Sequence, residues 1–289
     1  MSRHAYLIVA HKADYTLEIL LKLLDDKRND IYIHMDKKTK GYDFKNYTEN
    51  IKEAGIYEVP SISVEWGATS LIDAELNLLK AATSRAHYDY YHLISGEDLP
   101  IKTQDYIHNF FTANKEKEFV GFQDKKFLFP ERVRYYYPFQ KNLRHRFSVQ
   151  RIINCLSCVI QKNMHIHRNK DIEFQKGTAW FSITDNLARY VVNKEKYVKK
   201  VFNHTFLTDE VFLQTLVHNS EFKNNLYVEA GDANPAARMR LIDWNRGKPY
   251  TFKSQDFLEI KTSNMLFARK FNCEVDLEII DKIVSLLST

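Results

Sequence analysis

An α/β fold, with a mixed and mostly parallel sheet flanked by helices, is predicted by three features of the sequence. The continuous apolar run Ala5 to Ala10 shows no polar face, as expected of a strand covered by helices on both sides, and Ile31 to Met35 gives a second strand. A segment of helical apolar spacing, Tyr15 to Leu24, lies between them and completes a strand, helix, strand unit. Each run ends in polar residues, His11 and Lys12 after the first and Asp36 to Lys38 after the second, at the carboxyl strand ends where open α/β sheets bind ligands.

The remaining elements follow in order. Ile56 to Val59 reads as a short third strand. Ser70 with Asp73 forms a capping-box-like start, and Leu71, Ala74, Leu78 and Ala82 give an amphipathic helix to about Arg85. The central stretch is Tyr90 to Thr103. Its first five residues favour a strand, Gly96 permits a turn of unusual dihedrals, Pro100 stops the strand, and Thr103 caps the helix that follows. Glu97 and Asp98 then sit just past a strand end, although an acidic turn taken alone reads as solvated loop. A helix over 105–111 and a strand over 119–121 close this alternation.

From Gln123 to Asp171 the pattern weakens into an aromatic, basic region with an apolar helix near 152–160. Arg132, Arg134, Lys141, Arg144, Arg146 and Arg151 form a patch that attracts anions, or simply a solvated basic face. Lys176 to Ile183 is a further strand, in which Trp180 and Phe181 alternate across the pleat, one toward the core and one toward a pocket. A helix over 184–193 follows. Thr208 is a natural N-cap that puts Asp209 and Glu210 in a first helical turn, where acids complement the helix dipole. The same field would keep Glu210 ionised, as a general base requires. Near the end, Phe267 and Phe271 have core spacing, and Arg269 and Lys270 between them can clamp a phosphate. A C-terminal helix begins near Asp276.

Composition narrows the classes. A chain of 289 residues, 44% hydrophobic and 27% charged, can bury a large core, and is expected to form one domain in two halves, about 1–122 and 123–289. Cys155, Cys158 and Cys273 are too few for a disulfide framework, and the first two read as packed thiols. No apolar stretch reaches membrane-spanning length, and the first strand begins within five residues, which leaves no room for a signal peptide. The expected location is cytoplasmic, with peripheral contact at the inner face of an anionic membrane. No nucleic-acid motif accompanies the basic patch, so nucleic acid is not an expected partner. Nothing indicates the oligomeric state.

Ala10 to Lys12, His34 to Asp36, Val64 to Gly67, Ser95 to Thr103 (SGEDLPIKT), Lys176 to Phe181, Thr208 to Glu210 and Phe267 to Phe271 together resemble, in order, the core-2/I-branching β-1,6-N-acetylglucosaminyltransferase family, which includes peptide O-xylosyltransferases and bacterial polysaccharide enzymes. The resemblance implies a GT-A-like, Rossmann-related fold whose first half binds a nucleotide sugar, and inverting transfer from a UDP-sugar to a hydroxyl of a glycan or lipid-linked saccharide. It implies a catalytic base at Glu210, uridine or ribose contact at Asp36 beside Ala10, His11 and Lys12, and diphosphate contact at Lys270. It places acceptor sugar near Glu173 and Trp244. The family pairs the lysine with an upstream arginine that has no counterpart near Tyr250, so Lys248, Lys253, Arg238 and Arg240 stand as candidates for the second cation. Glu97, Asp98, Trp180 and Asp209 complete the expected substrate contacts. With no Asp-X-Asp pair present, no metal or other cofactor is expected, and cations take over charge neutralisation. The alternative is a non-catalytic nucleotide-sugar or glycan-binding module on the same fold.

Overall fold

The computed structural model describes residues 2–123, 127–144, 147–231 and 234–288. In chain order its main elements are β1 (His4–Ala10), α1 (Tyr15–Leu23), β2 (Asn29–Met35), α2 (Phe44–Thr48), β3 (Gly55–Glu58), α3 (Ser70–Arg85), β4 (Tyr90–Ser95), β5 (Asp98–Pro100), α4 (Gln104–Ala113), β6 (Phe119–Phe122) and α5 (Glu131–Arg134). Then come α6 (Val149–Asn163), β7 (Gly177–Thr184), α7 (Asp185–Asn193), α8 (Glu195–Phe202), α9 (Phe212–His218), β8 (Arg240–Ile242), α10 (Phe257–Thr262), β9 (Phe267–Arg269) and α11 (Leu277–Leu287).

The main sheet has the order β3-β2-β1-β4-β7-β6. β3, β2, β1 and β4 run parallel, and β7 is antiparallel to both β4 and β6. Alternation along each strand feeds two cores. Ala5 and Leu7 of β1 join Leu93 and residues of α3, α7 and α9 on one face, while Tyr6, Ile8 and Ala10 join α1, α4 and α11 on the other. Both faces are covered, which is why β1 reads in the sequence as a continuous apolar run from Ala5 to Ala10.

A second sheet, β5-β9-β8, was not legible in the sequence. Its three strands come from two distant segments, and strands from both halves of the chain meet in each sheet. The expected stop at Pro100 is corrected here: the strand that begins at Tyr90 already ends at Ser95, so Pro100 does not stop it; Pro100 closes β5, an edge strand of this small sheet, where a missing N–H is tolerated. Gly96 is also corrected. Positive φ occurs at Gly41, Gly67 and Gly231 and not at Gly96. A Cβ at Gly96 would come 3.1 Å from that of Ala10, so glycine serves the close approach of two strand ends.

Ser70 does not cap α3. Thr69 precedes the helix without a side-chain cap, and the Ser70 hydroxyl accepts a hydrogen bond from the Glu65 amide instead, fixing the loop before the helix. Thr103 does cap α4, accepting from the Tyr106 amide. Cys155 on α6 is exposed and Cys158 half-buried, so they are not two packed thiols. The reason is the orientation of α6, whose buried residues are Asn154 and Gln161 rather than its apolar ones.

Candidate active site

Because β7 runs against β4, with Tyr90 opposite Thr184, the amino end of β7 reaches the edge formed by the carboxyl ends of β1, β2 and β4. There the Gly177 amide donates to the Glu210 carbonyl at 2.8 Å. A Cβ on Gly177 would fall 1.7 Å from the Gly121 carbonyl oxygen, so only glycine lets β6, β7 and the 208–211 turn converge.

That turn is not the helical first turn expected from the sequence. Thr208 is buried, its hydroxyl shares a hydrogen bond with that of Thr205 at 2.9 Å, and α9 starts only at Phe212 with Val211 at the N-cap. Asp209 and Glu210 lie in the turn before it, so ion pairs rather than a helix dipole define the surroundings of Glu210. Lys176 Nζ stands 3.2 Å from its carboxylate and Arg132 Nη1 3.8 Å, while the side chain stays 37% exposed. Both cations lie over the Phe129 ring, and Lys176 also donates to Gln123. Burial, and then the neighbouring Glu210 carboxylate, push the Asp209 carboxyl up to about 7. Glu75 on α3, buried, is raised by burial and by Asp209.

A second acid and base group lies on the same edge. The Asp98 carboxylate accepts from the Ser95 amide and hydroxyl, each at 3.0 Å, and from Arg269 at 2.6 Å. Arg269 lies 4.4 Å above the Trp180 ring, and Lys270 Nζ is 3.7 Å from Glu97, whose carbonyl accepts from the Phe271 amide. Trp180 is the partly exposed member of the alternating pair, and Phe181 is fully buried. Lys176 immediately precedes β7 and Trp180 lies within it, so one segment supplies a residue to each of the two clusters.

At the ends of β1 and β2, the Asp36 amide donates to the Ala10 carbonyl, and Thr39 donates to that of His11. Ala10, His11, Lys12 and Asp36 therefore gather at one place, with Lys38 bridging Asp36 and Glu65. The Leu207 amide donates to the Gly67 carbonyl, tying this corner to the approach to Glu210. Trp244 follows the end of β8 and is 53% exposed. Lys248 is exposed on the next loop.

Three expected contacts are placed differently. Arg240 is 1% exposed, and its guanidinium donates to the carbonyls of Leu93, Phe181 and Arg238 and to Ser182. It fastens the small sheet to the large one beneath the site, and burial pushes it down to about 9. Asp98 is similarly enclosed and holds Arg269 instead of facing an open cleft. Glu173 is apart: its side chain is 72% exposed and pairs with His218 at the far end of α9. The residue near it that reaches the site is Lys176, which sequence reasoning missed together with the pairing of Arg132; the strand-opening Lys176-Gly177 step was the available signal. Arg146 lies outside the described residues. Among those described, no group of three His, Cys, Asp or Glu could hold a metal ion, and no helix is long and apolar enough to cross a membrane.

The Core-2/I-Branching enzyme family model matches residues 4–266, so Arg269 and Lys270 lie just beyond the matched span. Among similar curated proteins, Xylosyltransferase 2 of Rattus norvegicus is 25% identical over 96% of this chain and 33% of its own length. Xylosyltransferase of Ciona intestinalis is 24% identical over 96% and 33%, and Xylosyltransferase 1 of Mus musculus 24% over 99% and 30%. The chain spans about a third of the length of these relatives.

Proposed function

We propose, from the premise that this chain belongs to the Core-2/I-branching enzyme family, a family of glycosyltransferases, that it moves a sugar from a UDP-sugar to a hydroxyl of a glycan or lipid-linked saccharide with inversion at the anomeric carbon. The observation that carries this reading is the partly open Glu210 carboxylate, set on the same sheet edge as Lys270 and as the β1 and β2 strand ends.

In this mechanism the nucleoside lies against Ala10, His11, Lys12 and Asp36, and the diphosphate turns toward Lys270. Glu210 takes the acceptor hydroxyl proton as the oxygen forms its bond to the anomeric carbon from one face. The bond to the diphosphate oxygen breaks on the other face, and its electron pair leaves with UDP. The growing negative charge meets Lys270 directly and Arg269 behind it, an arrangement worth most when the donors are fixed beforehand. Asp98 and Trp180 fix Arg269 in this way. Lys176 and Arg132 set the position of the Glu210 carboxylate, and Trp244 offers a flat face for a sugar ring. With cations in these roles, turnover is expected to persist in the presence of a chelator; loss that is reversed by adding metal back would overturn this part.

The decisive experiment measures UDP release from a panel of UDP-sugars, alone and with candidate acceptors. UDP-xylose is the first donor to try because the similar curated proteins carry xylosyltransferase names, and UDP-N-acetylglucosamine the second because of the family. Release from one donor, increased by an acceptor and suppressed in Glu210→Gln, is expected. Tight UDP-sugar binding without any release would favour the non-catalytic module.

A further inference from the structure

We infer that α6 and its flanking segments form a docking surface for an anionic lipid bilayer. This does not depend on the proposed sugar transfer. The helix is turned inside out: the Asn154 side chain exchanges two hydrogen bonds with the backbone of Phe139, at 3.1 and 2.9 Å, and Gln161 does the same with Tyr136, at 2.8 and 2.9 Å. These amides hold the polar side of α6 against the protein. The apolar side, Val149, Ile152, Leu156, Val159, Ile160 and Met164, falls on one stripe at helical spacing and is exposed throughout. An apolar stripe of this extent marks an interaction surface.

Charge identifies the occupant. The six cations of the basic patch, with Lys162, Arg168 and Lys170, make nine Lys and Arg over 132–170, and that span contains no Asp or Glu. A second copy of the chain would set the exposed cations of this segment, such as Lys141, Arg144 and Lys162, against their own counterparts, so self-association through the stripe is opposed. An anionic bilayer answers both features, with acyl chains receiving the stripe and headgroup phosphates receiving the cations. A helix of 15 residues is about 22 Å long, too short to span a bilayer and suited to lying in its interface. The surface adjoins the candidate site: the Arg168 amide donates to Arg134 on α5, and Arg132 of the same helix faces Glu210. Docking would hold the Glu210 turn close to the membrane plane.

The test is sedimentation with vesicles of phosphatidylcholine alone and of phosphatidylcholine mixed with phosphatidylglycerol, at low and high salt. Binding to the mixed vesicles, released by salt and weak on the neutral ones, is expected. The double substitution Leu156→Asp and Ile160→Asp, at exposed positions, should weaken binding at least about tenfold with an unchanged melting temperature. Lys162→Glu should weaken binding to the anionic vesicles about fivefold or more, and leave the neutral ones unaffected. An environment-sensitive dye on exposed Cys155 should shift to the blue on binding. Absence of vesicle binding, or binding unmoved by the double substitution, overturns the inference. So does a dimer in sedimentation velocity that the same substitutions split, which would make the stripe a self-association surface.

Discussion

At one sheet edge, Asp98 meets Arg269 at 2.6 Å and Glu210 meets Lys176 at 3.2 Å, yet the first carboxylate is 1% exposed and the second 37%. The chemistry of the two pairs is alike. What differs is access to water and substrate, and with it the consequence of losing one partner. An enclosed ion pair has no solvent to compensate a stranded charge, so it acts as scaffold, whereas a partly open carboxylate can change partners during a reaction.

This comparison can be broken or sharpened by experiment. Glu210→Gln should reduce turnover by about two to four orders of magnitude, with UDP affinity retained; near-normal turnover would remove Glu210 from the mechanism. Stability should barely change in the same variant, since exposed pairs contribute about 0–1 kcal/mol. Asp98→Asn should behave the other way, losing about 3–5 kcal/mol of folding stability in denaturant titration because Arg269 is left enclosed and uncompensated. A small loss there would mean that Arg269 finds other partners and that the two clusters are not distinct. Lys270→Ala should weaken UDP binding about tenfold to a hundredfold by calorimetry, the usual range for one charge-assisted contact, and unchanged affinity would assign it to the scaffold with Asp98.

A third carboxylate extends the series to burial without a cation. Glu118 is 1% exposed, accepts from the Thr184 amide and hydroxyl, and is pushed up to about 7 chiefly by burial. The folded state therefore holds a proton that the unfolded state, with its ordinary value of 4.5, gives up earlier. Its stabilising contribution is complete below pH 4.5 and is lost as pH rises toward 7. Glu118→Gln should flatten that part of the melting-temperature profile, the smallest of these effects, and an unchanged slope would mean that other groups set it.

How much could be read in advance follows the range of the interactions. The strand β1 was legible because burial on both faces leaves an unbroken apolar run from Ala5 to Ala10, and β2, β4 and β7 because they are short stretches rich in aromatic and β-branched residues. The cap at Thr103 was legible because its hydrogen bond spans three residues. The start of α9 was misplaced because the hydroxyl of Thr208, a good cap by composition, is paired with that of Thr205. Arg240 looked like a free cation because nothing local shows that Leu93 and Phe181 enclose it.

From sequence alone came the strand and helix order, the polar strand ends at Ala10 to Lys12 and Asp36, and the carboxylate at 210, all features of local pattern or short motif. The tertiary structure decided the small sheet, the enclosure of Asp98 and Arg240, the placement of Glu173 away from the site and the pairing of Glu210 with Lys176 and Arg132. Those depend on which distant segments pack together, and packing is settled by register and shape across the whole chain, which no single window of residues contains.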